Sequence, residues 1–266
     1  MKTSSRRAFL RSAGTAISPL SPATAAERAE SAPLRDSGFK PAATPERLSD
    51  SLYIFRDTCN VYLVKQGERA LLIDFGSGAI LDHLPALGVT RLDWILHTHH
   101  HRDQCQGDSK AVARGVPIAV PSHEYHLFAD AENFWRNRRV FHLYYVRNNF
   151  NTVTRNIPVA RKLSDYSTFR WGQIAFLVFP TPGHTPGAIS LIANIDQRRT
   201  AFTGDLIYAP GKIVTLYDTQ VNYGGAEGID LSIYSLARLA EQRPELLLPS
   251  HGDPIRQPEM AITTTI

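Results

Sequence analysis

Four short apolar runs in this 266-residue chain each lead, within a few residues, to a side chain of metal-ligand type. That pattern restricts the chain to folds in which several strands end at one edge. Trp94-Ile95-Leu96 reads as a buried strand that delivers the chain into His97-Thr98-His99-His100-His101-Arg102-Asp103-Gln104. Histidines two apart in a loop leaving a strand can converge on one cation, and a carboxylate two further on can face a second. The run Ile174 to Phe179 precedes Thr181-Pro182-Gly183-His184-Thr185-Pro186-Gly187, a loop stiffened by two prolines and freed by two glycines. Asp205 follows Phe202-Thr203-Gly204, and His251 follows Leu246-Leu247-Leu248-Pro249-Ser250.

Each piece alone has an ordinary explanation: a loop histidine is usually solvated, and Gly-Asp is commonly a turn. Together they point to a metal site built from His99, His101, Asp103, His184, Asp205 and His251. A frame using His97, His99 and His101 would strand Asp103 and leave His184 and His251 without purpose. His97 and His100 are therefore read as structural or as supports behind the ligands, with His100 also placed to line the pocket.

Strand signals occur at Ser51 to Phe55, Asn60 to Lys65, Ala70 to Phe75, Pro117 to Val120, Thr168-Phe169, Ile189 to Ala193 and Thr200 to Thr203. Between them, Ile80 to Leu87 and Asp108 to Arg114 suit helices. Asp230 is placed to cap a helix carrying Ile233, Leu236, Ala237 and Ala240 on one face. From Ser122 to Tyr145 apolar residues recur at spacings of three and four. Strands first, helices interleaved, then strands again imply a layered α+β domain.

Composition bounds the partners. With 43% hydrophobic and 20% charged residues the chain reads as globular, and no apolar run is long enough to span a bilayer. The net charge of +4 comes from Lys2, Arg6, Arg7 and Arg11; setting those aside leaves 25 basic against 25 acidic residues, so nucleic acid is not an expected partner. Ser5-Arg6-Arg7-Ala8-Phe9-Leu10-Arg11 resembles a twin-arginine export signal, and Ala23-Thr24-Ala25 offers small residues for cleavage. The expectation is a signal over 1–25, a linker over 26–47 and a periplasmic or secreted protein. Cys59 and Cys105 are expected as buried free thiols, with a metal role for Cys105 as the alternative.

The ligand set resembles the metallo-β-lactamase superfamily, whose members read Thr-His-x-His-x-Asp-His, then a Pro-Gly-His loop, a Gly-Asp turn and a late His. The similarity runs from about Leu48 to Pro254 and includes Leu72-Ile73-Asp74, where the family has a strand-end Asp. It implies a four-layer αββα sandwich over 48–258, with 259–266 as a tail. It places His99, His101 and His184 at a first metal, Asp103 and His251 at a second, and Asp205 between them. Asp74 would orient a ligand histidine from behind. Gln104 stands where the family has a second-site histidine. An amide oxygen is a weaker zinc ligand than imidazole, so the second site is expected to bind loosely, to prefer a harder ion, or to be empty in the isolated protein.

The implied cofactor is zinc, as one or two ions, with iron or manganese as alternatives. The implied reaction is hydrolysis of a small ester, lactone, thioester or β-lactam by a metal-activated hydroxide oriented by Asp103. Tyr208 is either a donor to the developing oxyanion or a packing aromatic with its hydroxyl in water. The segment 122–157, with Phe134, Trp135 and Phe141 interleaved with Arg136, Arg138 and Arg147, is either a lid over the metals or a helix packed on the sheet with a basic outer face. The chain leaves no room for the helical domain with which glyoxalase II enzymes hold glutathione, so a small-molecule substrate is expected. Two other readings stand beside hydrolysis: a mononuclear iron oxygenase of sulfur compounds, and a binding module without catalysis. The residues do not indicate an oligomeric state.

Overall fold

The computed structural model describes residues 40–137, 153–214 and 227–266. The export signal, most of the linker, and residues 138–152 of the aromatic-arginine segment lie outside them.

Seven strands form one sheet in chain order: β1 (Glu46–Arg47), β2 (Leu52–Arg56), β3 (Asn60–Gln66), β4 (Arg69–Ile73), β5 (Arg91–Leu96), β6 (Ile118–Pro121) and β7 (Arg161–Leu163). Pairing is antiparallel from β1 to β4 and parallel from β4 to β7. A second sheet comprises β8 (Thr168–Trp171), β9 (Ile174–Pro180), β10 (Ile189–Ile195), β11 (Arg198–Gly204) and β12 (Leu246–Pro249), in the order β12-β11-β10-β9-β8. Here only β11 and β12 pair in parallel.

Alternation along the strands explains the layering. Side chains point to opposite faces with period two, and a strand buried on both faces reads as a continuous apolar run. In β4, Leu71 and Ile73 enter a core shared with Phe176, Leu191, Phe202 and Leu248 of the second sheet. Ala70 and Leu72 instead face Ile80, Cys105, Ala111 and Phe128 outside the first sheet. In β12, Leu246 and Leu248 face the shared core, while Leu247 packs with Leu236, Leu239, Ala261 and Ile262. Three cores thus separate four layers: helix, sheet, sheet, helix. The expected αββα sandwich is the observed one.

The outer layer on the first sheet holds α1 (Arg102–Cys105), α2 (Asp108–Val112), α3 (Tyr125–Ala129) and α4 (Ala131–Asn137). On the second sheet it holds α5 (Glu227–Glu241) and α6 (Pro258–Thr265). Several local expectations are corrected. Residues 80–87 form a 3-10 turn over Ala79–Asp82 followed by turns, not a full helix. The supposed tail is α6, a helix entered through Pro258, with Ala261 and Ile262 buried against α5. The linker already contains β1. Asp230 lies inside the first turn of α5 rather than capping it, where an acidic side chain still complements the helix dipole. The buried face of α5 is Ser232, Ser235, Leu236 and Leu239, leaving Ile233 exposed. That face is rotated because the two serine hydroxyls turn inward, Ser235 donating to Pro182 O at 2.6 Å and Ser232 to Gly228 O at 2.8 Å.

Candidate metal centre

Every ligand-type residue singled out from the sequence follows the C-terminal end of a strand. β5 runs into His97 to Asp103, β9 into the loop of His184, β11 into Asp205 and β12 into His251. Since β4 and β5 run in parallel, as do β11 and β12, these ends gather on one edge of the sandwich.

Two donor groups result, each with ligand atoms all within 4.8 Å of one another: His99, His101, His184 and Asp205, then Asp103, Asp205 and His251. In the first, His184 Nε2 lies 2.9 Å from His101 Nδ1 and 3.1 Å from Asp205 Oδ2, and His99 Nε2 is 3.5 Å from the same oxygen. In the second, His251 Nε2 lies 2.8 Å from Asp103 Oδ2 and 3.7 Å from Asp205 Oδ1. One oxygen of Asp205 faces each group, so this carboxylate stands between them. The first group is sealed, with side chains at most 4% exposed where they meet Asp205, whereas Asp103 is 37% and His251 15% exposed. Solvent therefore reaches the ligands from the Asp103 side.

A divalent cation fits this donor set. Among the described residues, His99 Nε2 and Asp205 Oδ1 are buried with no hydrogen-bond partner, a costly arrangement unless something else satisfies them. Imidazole nitrogens with one carboxylate are the donors that zinc and similar ions prefer. The electrostatics agree. Burial alone would raise the Asp205 carboxyl, but His251 and His184 around it hold it well below the usual range. Burial and the neighbouring His184 and His99 push His101 well below an ordinary histidine. Against the opposing effect of burial, Asp205 raises His99 to about 9, and Asp205 with Asp103 raises His251 to about 9.

The scaffold behind the ligands is dense. Asp74, at the end of β4 with φ of 55°, accepts from Thr98 N and Thr98 Oγ1, each at 2.9 Å. Thr98 Oγ1 lies 3.0 Å from His99 Nδ1, which orients that ring. His97 turns away from the ligands, its Nε2 3.0 Å from Asp108 and its Nδ1 3.4 Å from Asp74, with its ring stacked on Phe128. Gly204 adopts φ of +54°, and a Cβ there would sit 2.9 Å from Thr98 Oγ1; only glycine lets β11 approach β5 so closely before Asp205. The first residue of β3, Asn60, supports the His251 turn by donating from Nδ2 to Pro249 O and Gly252 O, each at 2.8 Å.

Gln104 is fully buried, directs Nε2 to Asp103 Oδ2 at 3.1 Å, and among the described residues has no hydrogen-bond partner for Oε1. In this arrangement it holds Asp103. Lys212 Nζ lies 4.2 Å from the Tyr208 ring centroid, and the Tyr208 backbone packs against Gly252. Cys59 and Cys105 are buried free thiols, and Cys105 donates to His101 O at 3.0 Å. In the aromatic-arginine segment, α3 packs on the first sheet through Phe128, and α4 follows it with Ala131 buried. Phe141, Arg138 and Arg147 lie outside the described residues.

One residue escaped the sequence reading: Glu124, at the end of the 3-10 turn Ser122–Glu124. Its Oε2 lies 2.9 Å from His100 Nδ1, and its Oε1 accepts from the Thr185 hydroxyl and from Gly187 N at 3.1 Å. Burial would raise this carboxyl, yet His100 and the other surrounding groups hold it down to about 2. A signal was present: Glu124 closely follows β6, which pairs in parallel with β5, so it falls on the ligand edge.

Comparison with known proteins agrees with this geometry. The family model described as the metallo-beta-lactamase superfamily matches residues 54–251. The chain is 27% identical over 208 residues to a beta-lactamase-like protein 2 homolog of Drosophila melanogaster, covering 75% of this chain and 60% of that one. It is 29% identical over 150 residues to a hydroxyacylglutathione hydrolase of Anaeromyxobacter dehalogenans, covering 56% of this chain and 46% of that one. These matches thus span about half the length of the curated relatives. Among solved structures, a subclass B3 metallo-beta-lactamase of Bradyrhizobium japonicum superposes with a TM-score of 0.65 at 19% identity, covering 85% of this chain and 91% of that one.

Proposed function

The chain belongs to the metallo-beta-lactamase superfamily, and from that premise we propose that it is a zinc-dependent hydrolase of a small activated acyl compound: an ester, lactone, thioester or β-lactam. The observation that carries this reading is Asp205, whose two carboxylate oxygens face two convergent donor groups. A bound divalent cation supplies Lewis acidity, making water nucleophilic near neutral pH and polarising the acyl oxygen.

The chain's own residues do the rest. His99, His101 and His184 with Asp205 would hold a first ion in the sealed pocket, and Asp103 and His251 with the other oxygen of Asp205 would hold a second beside it. Asp103, the most exposed of its group, would orient the attacking hydroxide, with its carboxylate held in place at Oδ2 by Gln104 Nε2 at 3.1 Å. Tyr208, three residues after Asp205, is the candidate donor to the developing oxyanion. Relatives named as hydroxyacylglutathione hydrolase and metallo-beta-lactamase support an acyl substrate.

The test is a panel of nitrocefin, aryl esters, lactones, thioesters and bis-aryl phosphate, run on zinc-replete protein and on His99→Ala and Asp205→Ala. Hydrolysis of an acyl member, lost in both variants, supports the proposal; activity retained in either variant overturns it. The presence of glutamine at position 104 favours a second reading, a one-metal iron oxygenase, and one iron per chain in protein purified without chelators would select it. Export by the twin-arginine route is part of the same proposal, resting on Ser5 to Arg11. Replacing Arg6 and Arg7 by lysine should retain the protein in the cytoplasm, and unchanged export would remove that element.

A further inference from the structure

We propose that Glu124 is a positioning residue of the metal centre, a strut that fixes the spacing between the loop of His99 and His101 and the loop of His184. The inference rests on the metal-centre reading above and extends it to a residue that touches no ion.

The geometry is specific. The two oxygens of this buried carboxylate divide their work between the two ligand loops. Oε2 lies 2.9 Å from His100 Nδ1, a close polar contact without aligned hydrogen-bond geometry, and His100 lies between two ligand histidines. Oε1 takes the Thr185 hydroxyl, on the residue after His184, and the Gly187 N–H at 3.1 Å. The loops are also tied at their base, where Ile189 N donates to Thr98 O at 3.0 Å. Glu124 adds a tie nearer the ligands themselves, where His184 Nε2 lies 2.9 Å from His101 Nδ1. An outer partner of this kind sets the orientation and reach of the groups that ligate.

The surroundings keep the strut stiff. The 3-10 turn of Glu124 runs directly into α3, whose Phe128 is fully buried against the His97 ring. The far loop is shaped around the strut: a Cβ on Gly187 would lie 2.5 Å from Glu124 Cγ. A buried glutamate serving only to satisfy local donors would need neither contacts on two separate loops nor a glycine cut to its side chain.

The experiment compares wild type with Glu124→Ala, Glu124→Asp, Glu124→Gln and Thr185→Val. It measures affinity for Zn(II) and Co(II) by chelator competition, the Co(II) absorption spectrum, and metal-free stability by denaturation. Glu124→Ala and Glu124→Asp should bind the first ion about 10- to 100-fold more weakly and alter the Co(II) spectrum, because an aspartate cannot reach both loops. Thr185→Val should show a smaller loss in the same direction. Glu124→Gln keeps an acceptor for Thr185 and Gly187 and should recover most of the affinity. Wild-type affinity and spectrum in the alanine and aspartate variants would overturn the strut, whatever their stability. If the alanine variant does not fold, unchanged affinity in both Glu124→Asp and Thr185→Val overturns it instead. Failure of the wild type to bind any metal would instead strike the underlying metal-centre reading.

Discussion

Ser250 Oγ donates to Asp74 Oδ2 at 3.0 Å, although the two residues are 176 positions apart in the chain. The contact joins the end of β4 to the residue before His251. The same carboxylate also receives Thr98 N and Thr98 Oγ1, so it braces the strand end that leads to His99. One buried side chain thus fixes ligand-bearing ends in both sheets. Asp74→Ala should cost about 3–5 kcal/mol, since it strands buried donors and leaves His97 one carboxylate short. Urea denaturation of metal-free protein measures the loss. Zinc affinity should fall with it, and a loss under 1 kcal/mol would show that the brace carries little weight.

The buried His97 makes stability depend on pH. Burial alone would lower its pKa, but Asp108 and Asp74 beside it raise it to about 9. A histidine raised above its unfolded value of about 6.5 contributes stability that is fully present below pH 6.5 and is lost as pH rises through the folded value. Between pH 6 and 10, metal-free wild type should lose about 3 kcal/mol more than His97→Gln. Denaturation curves for both proteins in chelator give this difference, and parallel pH profiles would contradict it.

Much of this centre was legible before the fold was known, and the reason is chemical. His99, His101, Asp103, His184, Asp205 and His251 stood out because each follows an apolar run, and a strand end is where a side chain can leave the sheet toward a shared point. The layers were legible for a related reason: runs such as Ala70 to Ile73 and Leu246 to Leu248 are apolar on both faces, which requires cover on both sides. Glu124 was not legible, because its role depends on β6 lying beside β5 and on contact with a loop some sixty residues later. The face of α5 was misjudged because Ser232 and Ser235 bury hydroxyls that backbone carbonyls satisfy, which hydrophobic periodicity does not register. The helix α6 was missed because its last turn, Thr263-Thr264-Thr265, is β-branched and unfavourable to a helix in isolation; packing of Ala261 and Ile262 overrides that preference.

The two donor groups are unequal. The first offers four donors, all buried, while the second offers three, two of them partly exposed. Gln104 contributes an amide hydrogen bond to Asp103 rather than an imidazole. Zinc titration should therefore resolve two affinities separated by tenfold or more, about 1.4 kcal/mol. Gln104→His should strengthen the weaker site and narrow the gap. A wild-type titration with two equal sites would contradict this asymmetry.

The proposed hydrolysis requires that side chains scattered from His99 to His251 form one cage for cations. Anomalous diffraction at the zinc edge, on crystals grown with zinc, tests it most directly. A strong peak is expected about 2.0–2.2 Å from His99 Nε2, His101 Nδ1, His184 Nε2 and Asp205 Oδ2, with a weaker one beside Asp103 and His251. A zinc peak elsewhere in the molecule, with none between His99 and His184, would contradict it.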